Sequence, residues 1–76
     1  MSEQERENVW ITSQMGLRLR AGREAKGMTQ SQLAQMVNAS VTQIDQYEHG
    51  EHDMAMERLF DLARILEIPV AEIFDA

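Results

Sequence analysis

Residues 40–48, SVTQIDQYE, crowd short hydrogen-bonding side chains into one segment, and the chemistry they offer is recognition by paired donors and acceptors. A glutamine amide suits the N6/N7 edge of adenine, a threonine hydroxyl suits either kind of edge, and a valine methyl packs on the thymine methyl. Val41, Thr42 and Gln43, with Gln46 one turn further on the same side of a helix, are the side chains whose chemistry would suit such edges if the segment were placed against them. Asp45 has two readings, an acceptor for cytosine N4 or a solvated acid, and phosphate repulsion favours the second. Bond-making chemistry has no comparable set. The chain has no cysteine. It also lacks Ser/His/Asp spacing, a phosphate-cradling glycine loop and paired carboxylates on a pocket-forming element, so no enzyme is expected. His49, Glu51, His52 and Asp53 lie close enough in sequence to raise a metal site. Nothing fixes their geometry, the solvated-loop reading is preferred, and neither metal nor cofactor is expected.

The elements that must position these residues are legible from their ends. Thr29 with Gln32, and Ser40 with Gln43, each fit the S/T-x-x-E/Q capping box, in which side chains satisfy the orphan amides of a helix start. Two such starts eleven residues apart leave room for one short helix between them. Leu33, Ala34 and Val37 then share a face of the first helix, and Ile44 and Tyr47 of the second, with Asn38 in a turn that tolerates left-handed backbone. This is the layout of a helix-turn-helix over residues 29–48.

Upstream, a helix capped by Asn8, Thr12 or Ser13 should run through GLRLRAGREAK and stop with Gly27 just past its end. Ile11, Met15, Leu19 and Gly22 form its buried stripe, and Gly22 is expected to let another element approach closely. Downstream of a polar connection, EHDMA, residues 56–66 carry a wide apolar face, and Pro69 suits the start of a last short helix over 70–74, whose Val70, Ile73 and Phe74 should close the core. No strand signal is visible. The expected class is all-α, with residues 1–8 a frayed acidic tail and 9–76 one domain.

The sequence resembles the phage repressor and Cro-like (XRE family) helix-turn-helix domains over residues 15–74, about four-fifths of the chain. The resemblance rests on a helix ending in KG followed by MTQSQLA, the turn NAS, the segment IDQYEHG and the tail LFDLARILEIPVAEIF. It implies a compact five-helix bundle of the lambda-repressor-like type, with the helix over 40–48 in the major groove and the preceding helix across the backbone. That placement makes Val41, Thr42, Gln43 and Gln46 the candidate base-reading residues. It also implies that Gln30 touches phosphate and braces the recognition helix, and that Arg23 pairs with Glu48 to set the angle between their helices. Thr29, Ser40 and Arg20 join Gln30 as the backbone-holding set, since helix-start amides themselves bind phosphate.

Charge qualifies this reading. The net charge is −6, which disfavours nucleic acid when taken over the whole chain. Residues 15–50, however, hold Arg18, Arg20, Arg23 and Lys26 against Glu24, Asp45 and Glu48, so the acid lies elsewhere. Many relatives carry a basic segment after the recognition helix, where this chain has Glu51-His52-Asp53. Binding to double-stranded DNA is expected to be weak for a monomer and to depend on a homodimer reading two half-sites.

Trp10 and Leu17 are seven apart and on a stripe other than the core one. Either they pack under the C-terminal helix of the same subunit, or they form a dimer contact with Leu66, Ile68, Val70 or Phe74 as candidate partners. The absence of a long apolar run and of a basic leader points to a cytoplasmic protein away from membranes. The expected function is a transcriptional regulator, most simply a repressor of a palindromic operator. The alternative is a protein-interaction module on the same fold, an antitoxin or anti-repressor whose acidic surface meets a basic protein partner.

Overall fold

The structure, a computed structural model, describes residues 7–50 and 52–75. Five helices follow in the expected order, and their ends show why. Helix α1 (Ser13–Ala25) is capped by Thr12, whose hydroxyl accepts from the Met15 amide at 3.2 Å. It ends with Gly27 at φ 68°, while the amides of Gly27 and Met28 donate to the carbonyls of Glu24 and Arg23. That is the Schellman arrangement, which satisfies the last carbonyls of a helix. Helices α2 (Gln30–Met36) and α3 (Val41–His49) both carry complete capping boxes, with Thr29 and Ser40 as the caps. Between them Asn38 takes φ 57° and the Ala39 amide reaches back to the Ala34 carbonyl at 2.9 Å. Helices α4 (Met56–Leu66) and α5 (Val70–Phe74) occupy the anticipated residues, separated by left-handed Glu67 and by Pro69.

The all-α expectation needs one amendment. Two short strands, β1 (Asn8–Ile11) and β2 (His52–Ala55), pair antiparallel with Asn8 opposite Ala55 and Ile11 opposite His52. Each has four residues, too few for period-two alternation to stand out among polar neighbours. Val9, Ile11, His52 and Met54 face the core, with Ile11 and Met54 buried. Asn8, Trp10, Asp53 and Ala55 face outward. Asn8 therefore belongs to β1 and not to a tail, and the Glu7 carbonyl accepts from the Met56 amide at 2.9 Å. The remainder of the expected tail, residues 1–6, lies outside the described residues.

The core collects Ile11, Met15 and Leu19 from the N-terminal side, Leu33, Ile44 and Tyr47 from the central helices, and Leu59, Leu62, Leu66 and Ile73 from the C-terminal side. Gly22 meets the expectation of close approach, since a Cβ there would sit 2.5 Å from Ile68 Cδ1. Two aromatic residues depart from expectation. Phe60 and Phe74 are about half exposed, at 50% and 45%. In so short a helix as α5 only one side turns inward, and Ile73 takes it; Val70 is half buried.

Candidate nucleic-acid interface

The N-terminal half of α3 presents the side chains singled out for base reading. Val41, Thr42 and Gln46 are exposed and Gln43 is partly so. They are not equivalent, because Gln43 also closes the capping box, its Oε1 accepting from the Ser40 amide at 2.9 Å. A bidentate grip on adenine uses both the oxygen and the amide of a glutamine. While the cap stands Gln43 has one of its two oxygen lone pairs engaged and its oxygen held toward Ser40, whereas both groups of Gln46 are unengaged. Thr29 and Ser40 accept from the amides of Gln32 and Gln43, each at 3.0 Å, and keep their hydroxyl protons for an outside acceptor such as phosphate.

The inner side of α3 is tied down at its C-terminal half. Glu48 is 5% exposed, the sole buried charge among the described residues. Arg23 meets it with two prongs, Nε donating to Oε2 at 2.6 Å and Nη2 to Oε1 at 3.1 Å. Its third nitrogen donates to the Met28 carbonyl at 2.8 Å, so one guanidinium joins α1, the segment before α2, and α3. The hydrogen bonds to Glu48 raise the Arg23 pKa above its ordinary strongly basic value, against the opposing effect of burial. Gln30 completes the cluster, its amide donating to Glu48 Oε1 and to Asp45 Oδ1, both at 3.1 Å. Its two amide protons are thus both engaged inside the protein, and a direct phosphate contact would require the Asp45 bond to be exchanged. Asp45 is half exposed in a cleft between α1 and α3 that Leu17, Arg20 and His49 also line.

Five other placements correct or extend the sequence reading. Trp10 is in β1, so the helical spacing that linked it to Leu17 does not apply. Trp10 is 60% exposed opposite Asp53, and Leu17, 52% exposed, lines the α1/α3 cleft; neither packs beneath α5. Arg20 makes an exposed ion pair with Glu24 at 3.1 Å. Gly16 and Arg58 were not foreseen. A Cβ on Gly16 would lie 2.5 Å from the carbonyl oxygens of both Tyr47 and Glu48, so this glycine lets α1 lie against the end of α3. It sits in the first turn of α1, where a glycine is less conspicuous than Gly22 is in mid-helix. Arg58 Nη1 donates to the Tyr47 hydroxyl at 3.0 Å and Nη2 to the Asn38 carbonyl at 3.4 Å, contacts with no local signature.

Among the described residues no three His, Asp or Glu side chains gather as a metal group. The rings of His49 and His52 donate through Nδ1 to the carbonyls of Asp45 and Asp53, each at 2.8 Å. Glu51, the fourth member of that sequence cluster, lies outside the described residues. No described helix is long and apolar enough to cross a membrane.

Residues 19–73 match the family described as helix-turn-helix. A Rhodospirillum rubrum protein named an uncharacterized transcriptional regulator in the ATPase CF(0) region is 33% identical over 64 residues. That alignment covers 84% of this chain and 59% of the relative, so the chain spans well under two thirds of it. Among solved structures, the restriction-modification controller protein C.AhdI from Aeromonas hydrophila superposes with a TM-score of 0.73 at 31% identity, covering 82% of this chain and 94% of that one. The clp gene regulator ClgR from C. glutamicum gives a TM-score of 0.74 at 26% identity, covering 91% and 88%.

Proposed function

Because this chain belongs to the helix-turn-helix family, of the phage repressor and Cro type, we propose that it is a sequence-specific DNA-binding transcriptional regulator. The observation that carries this reading is the division of α3 into two sides. Its inner side is locked to α1 and α2 by Arg23, Gln30 and Glu48, while Thr42 and Gln46 stand out from the far side and Val41 is exposed at the helix start. A helix so held presents its outer side chains at one angle, as reading of a major groove requires. The C.AhdI controller and ClgR regulator are both regulators by name, which is consistent with this role.

In this reading Gln46 makes the bidentate base contact, Thr42 and Val41 complete the base-reading edge, and the Gln43 amide adds a single bond. Ser40, Thr29, the α2 and α3 amides and Arg20 position the sugar-phosphate backbone. Gln30 acts first as a brace. The protein binds a two-fold operator as a homodimer in the cytoplasm and represses by occluding a promoter. Trp10, exposed on the outer face of the sheet, is the proposed subunit contact. No catalytic step is assigned.

The decisive experiment is selection from a random duplex pool at low salt. An enriched palindrome with half-sites about one helical turn apart is expected. Recovery of no sequence above background at low salt would refute the reading. The second reading, a protein-interaction module, has one observation in its favour: outside residues 15–50 the chain holds ten acidic residues against three basic. Capture of a basic protein partner with no duplex retention at low salt would establish it instead.

A further inference from the structure

We infer that Arg58, on α4, is a positioning residue that sets how α3 presents its base-reading edge. The inference rests on the proposed DNA-reading role of α3 and names a specificity determinant outside the helix-turn-helix itself. One planar guanidinium reaches two points, one just ahead of α3 and one near its far end. Nη2 meets the carbonyl of Asn38 at 3.4 Å, and Nη1 meets the Tyr47 hydroxyl at 3.0 Å. Asn38 is the left-handed residue of the turn between α2 and α3, φ 57°, and its conformation sets the direction in which α3 leaves. Tyr47 is buried near the far end of α3 and packs edge-on against the His52 ring at 6.0 Å between centroids.

The Arg23–Glu48 pair holds the C-terminal half of α3 to α1. That tie leaves the joint ahead of Val41 to be held from another direction, and the Arg58 fork holds it from α4. A guanidinium spans two acceptors in a rigid fork, whereas a lysine ammonium is a point charge on a flexible stem. Its positive charge also lies at the carbonyl end of α2, where a cation is favoured. The Thr42 and Val41 edge follows directly on that joint, so its register on the bases depends on Arg58 although Arg58 touches no base.

The test uses three full-chain variants, Arg58→Met, Arg58→Lys and Tyr47→Phe, held below the unfolding transition of the weakest. Affinity is measured for the duplex enriched from the random pool and for a scrambled duplex of the same length, over a range of salt. The ratio of the two affinities is expected to fall about tenfold in all three, within the range that one good base contact provides. The salt slope should stay at the wild-type value in Tyr47→Phe and Arg58→Lys. A ratio unchanged in all three, with only the thermal midpoint lowered, would overturn the proposal and leave Arg58 a stabilising residue. A salt slope shallower by about one in Arg58→Met, with the ratio intact, would overturn it in favour of a phosphate contact. Failure of the DNA-reading role itself is told apart by a measurement without DNA. Exchange of the Ala39 amide, which is bonded across the turn to Ala34, should quicken about tenfold in Tyr47→Phe. An unchanged exchange rate would overturn the clamp even if wild-type protein reads DNA.

Discussion

Glu48 is where the interior of the protein meets its proposed binding edge. Three N–H groups converge on this buried carboxylate, two from Arg23 and one from Gln30. A buried ion pair need not add net stability over apolar residues of similar size, yet removing one partner strands the other. Arg23→Met or Glu48→Leu alone should therefore cost about 3–5 kcal/mol. The double variant should cost clearly less than the singles added together, in denaturant titrations combined as a double-mutant cycle. Zero coupling would mean that the pair does not hold the two helices together. Arg23 has its pKa raised in the folded state, so its contribution is present at every pH below its ordinary value and is lost only on titration above it. From the arginine side, the pair should not weaken between about pH 5 and pH 9. Gln46 and Gln43 separate reading from folding. Gln46→Ala should leave the melting temperature nearly unchanged and relax discrimination at one base pair by about 1–3 kcal/mol. Gln43→Ala should also lower stability, because it opens the capping box of α3. Equal melting temperatures for the two variants would contradict this division of labour.

Among the elements, the α1/α3 contact is the joint on which presentation of α3 depends. Gly16 brings the backbones together, and backbone carbonyls, unlike a flexible side chain, cannot move aside for a methyl group. Gly16→Ala should destabilise by about 1–3 kcal/mol through overpacking, although alanine is the better helix former. A stability equal to or above wild type in denaturant titrations would show that the helices separate freely. Gly50 has a related role at the start of α1. It sits at φ 81°, where L side chains are disfavoured, and a Cβ there would lie 2.5 Å from the Ser13 amide nitrogen. The two glycines and the β1/β2 pairing together seat the start of α1 against the end of α3. That seating was not readable from capping signals, which predicted where each helix begins but not how closely two of them lie.

At the scale of the whole molecule, charge placement decides how this protein would grip a duplex. Of the four cations in residues 15–50, Arg23 is committed to Glu48 and Lys26 pairs with Glu67 at 2.9 Å. Arg18 remains, together with Arg20, whose ion pair with Glu24 is exposed on both sides and can be exchanged for phosphate, so a dimer neutralising about four phosphates should show a log–log salt slope near −4. A slope near −8 would place further cations at the backbone. Sedimentation at micromolar concentration should give a dimer for the wild type and a lighter species for Trp10→Ala; equal masses would remove Trp10 from the subunit contact. What the sequence by itself determined was local: the capping boxes, Asn38 and Gly27 at the helix ends and the five helices, whereas the expected α1 stripe was only partly right, since Ile11 is buried from β1 and not from α1. Those signals act between residues three or four apart, so a linear reading contains both partners. Only the tertiary structure decided that Asn8 and Asp53, 45 residues apart, lie on paired strands, that Gln30 spends its amide on Asp45 and Glu48, and that Arg58 reaches Asn38 and Tyr47. Each of these joins groups that only packing brings within hydrogen-bond range, and hydrogen-bond geometry leaves no trace in the spacing of distant residues.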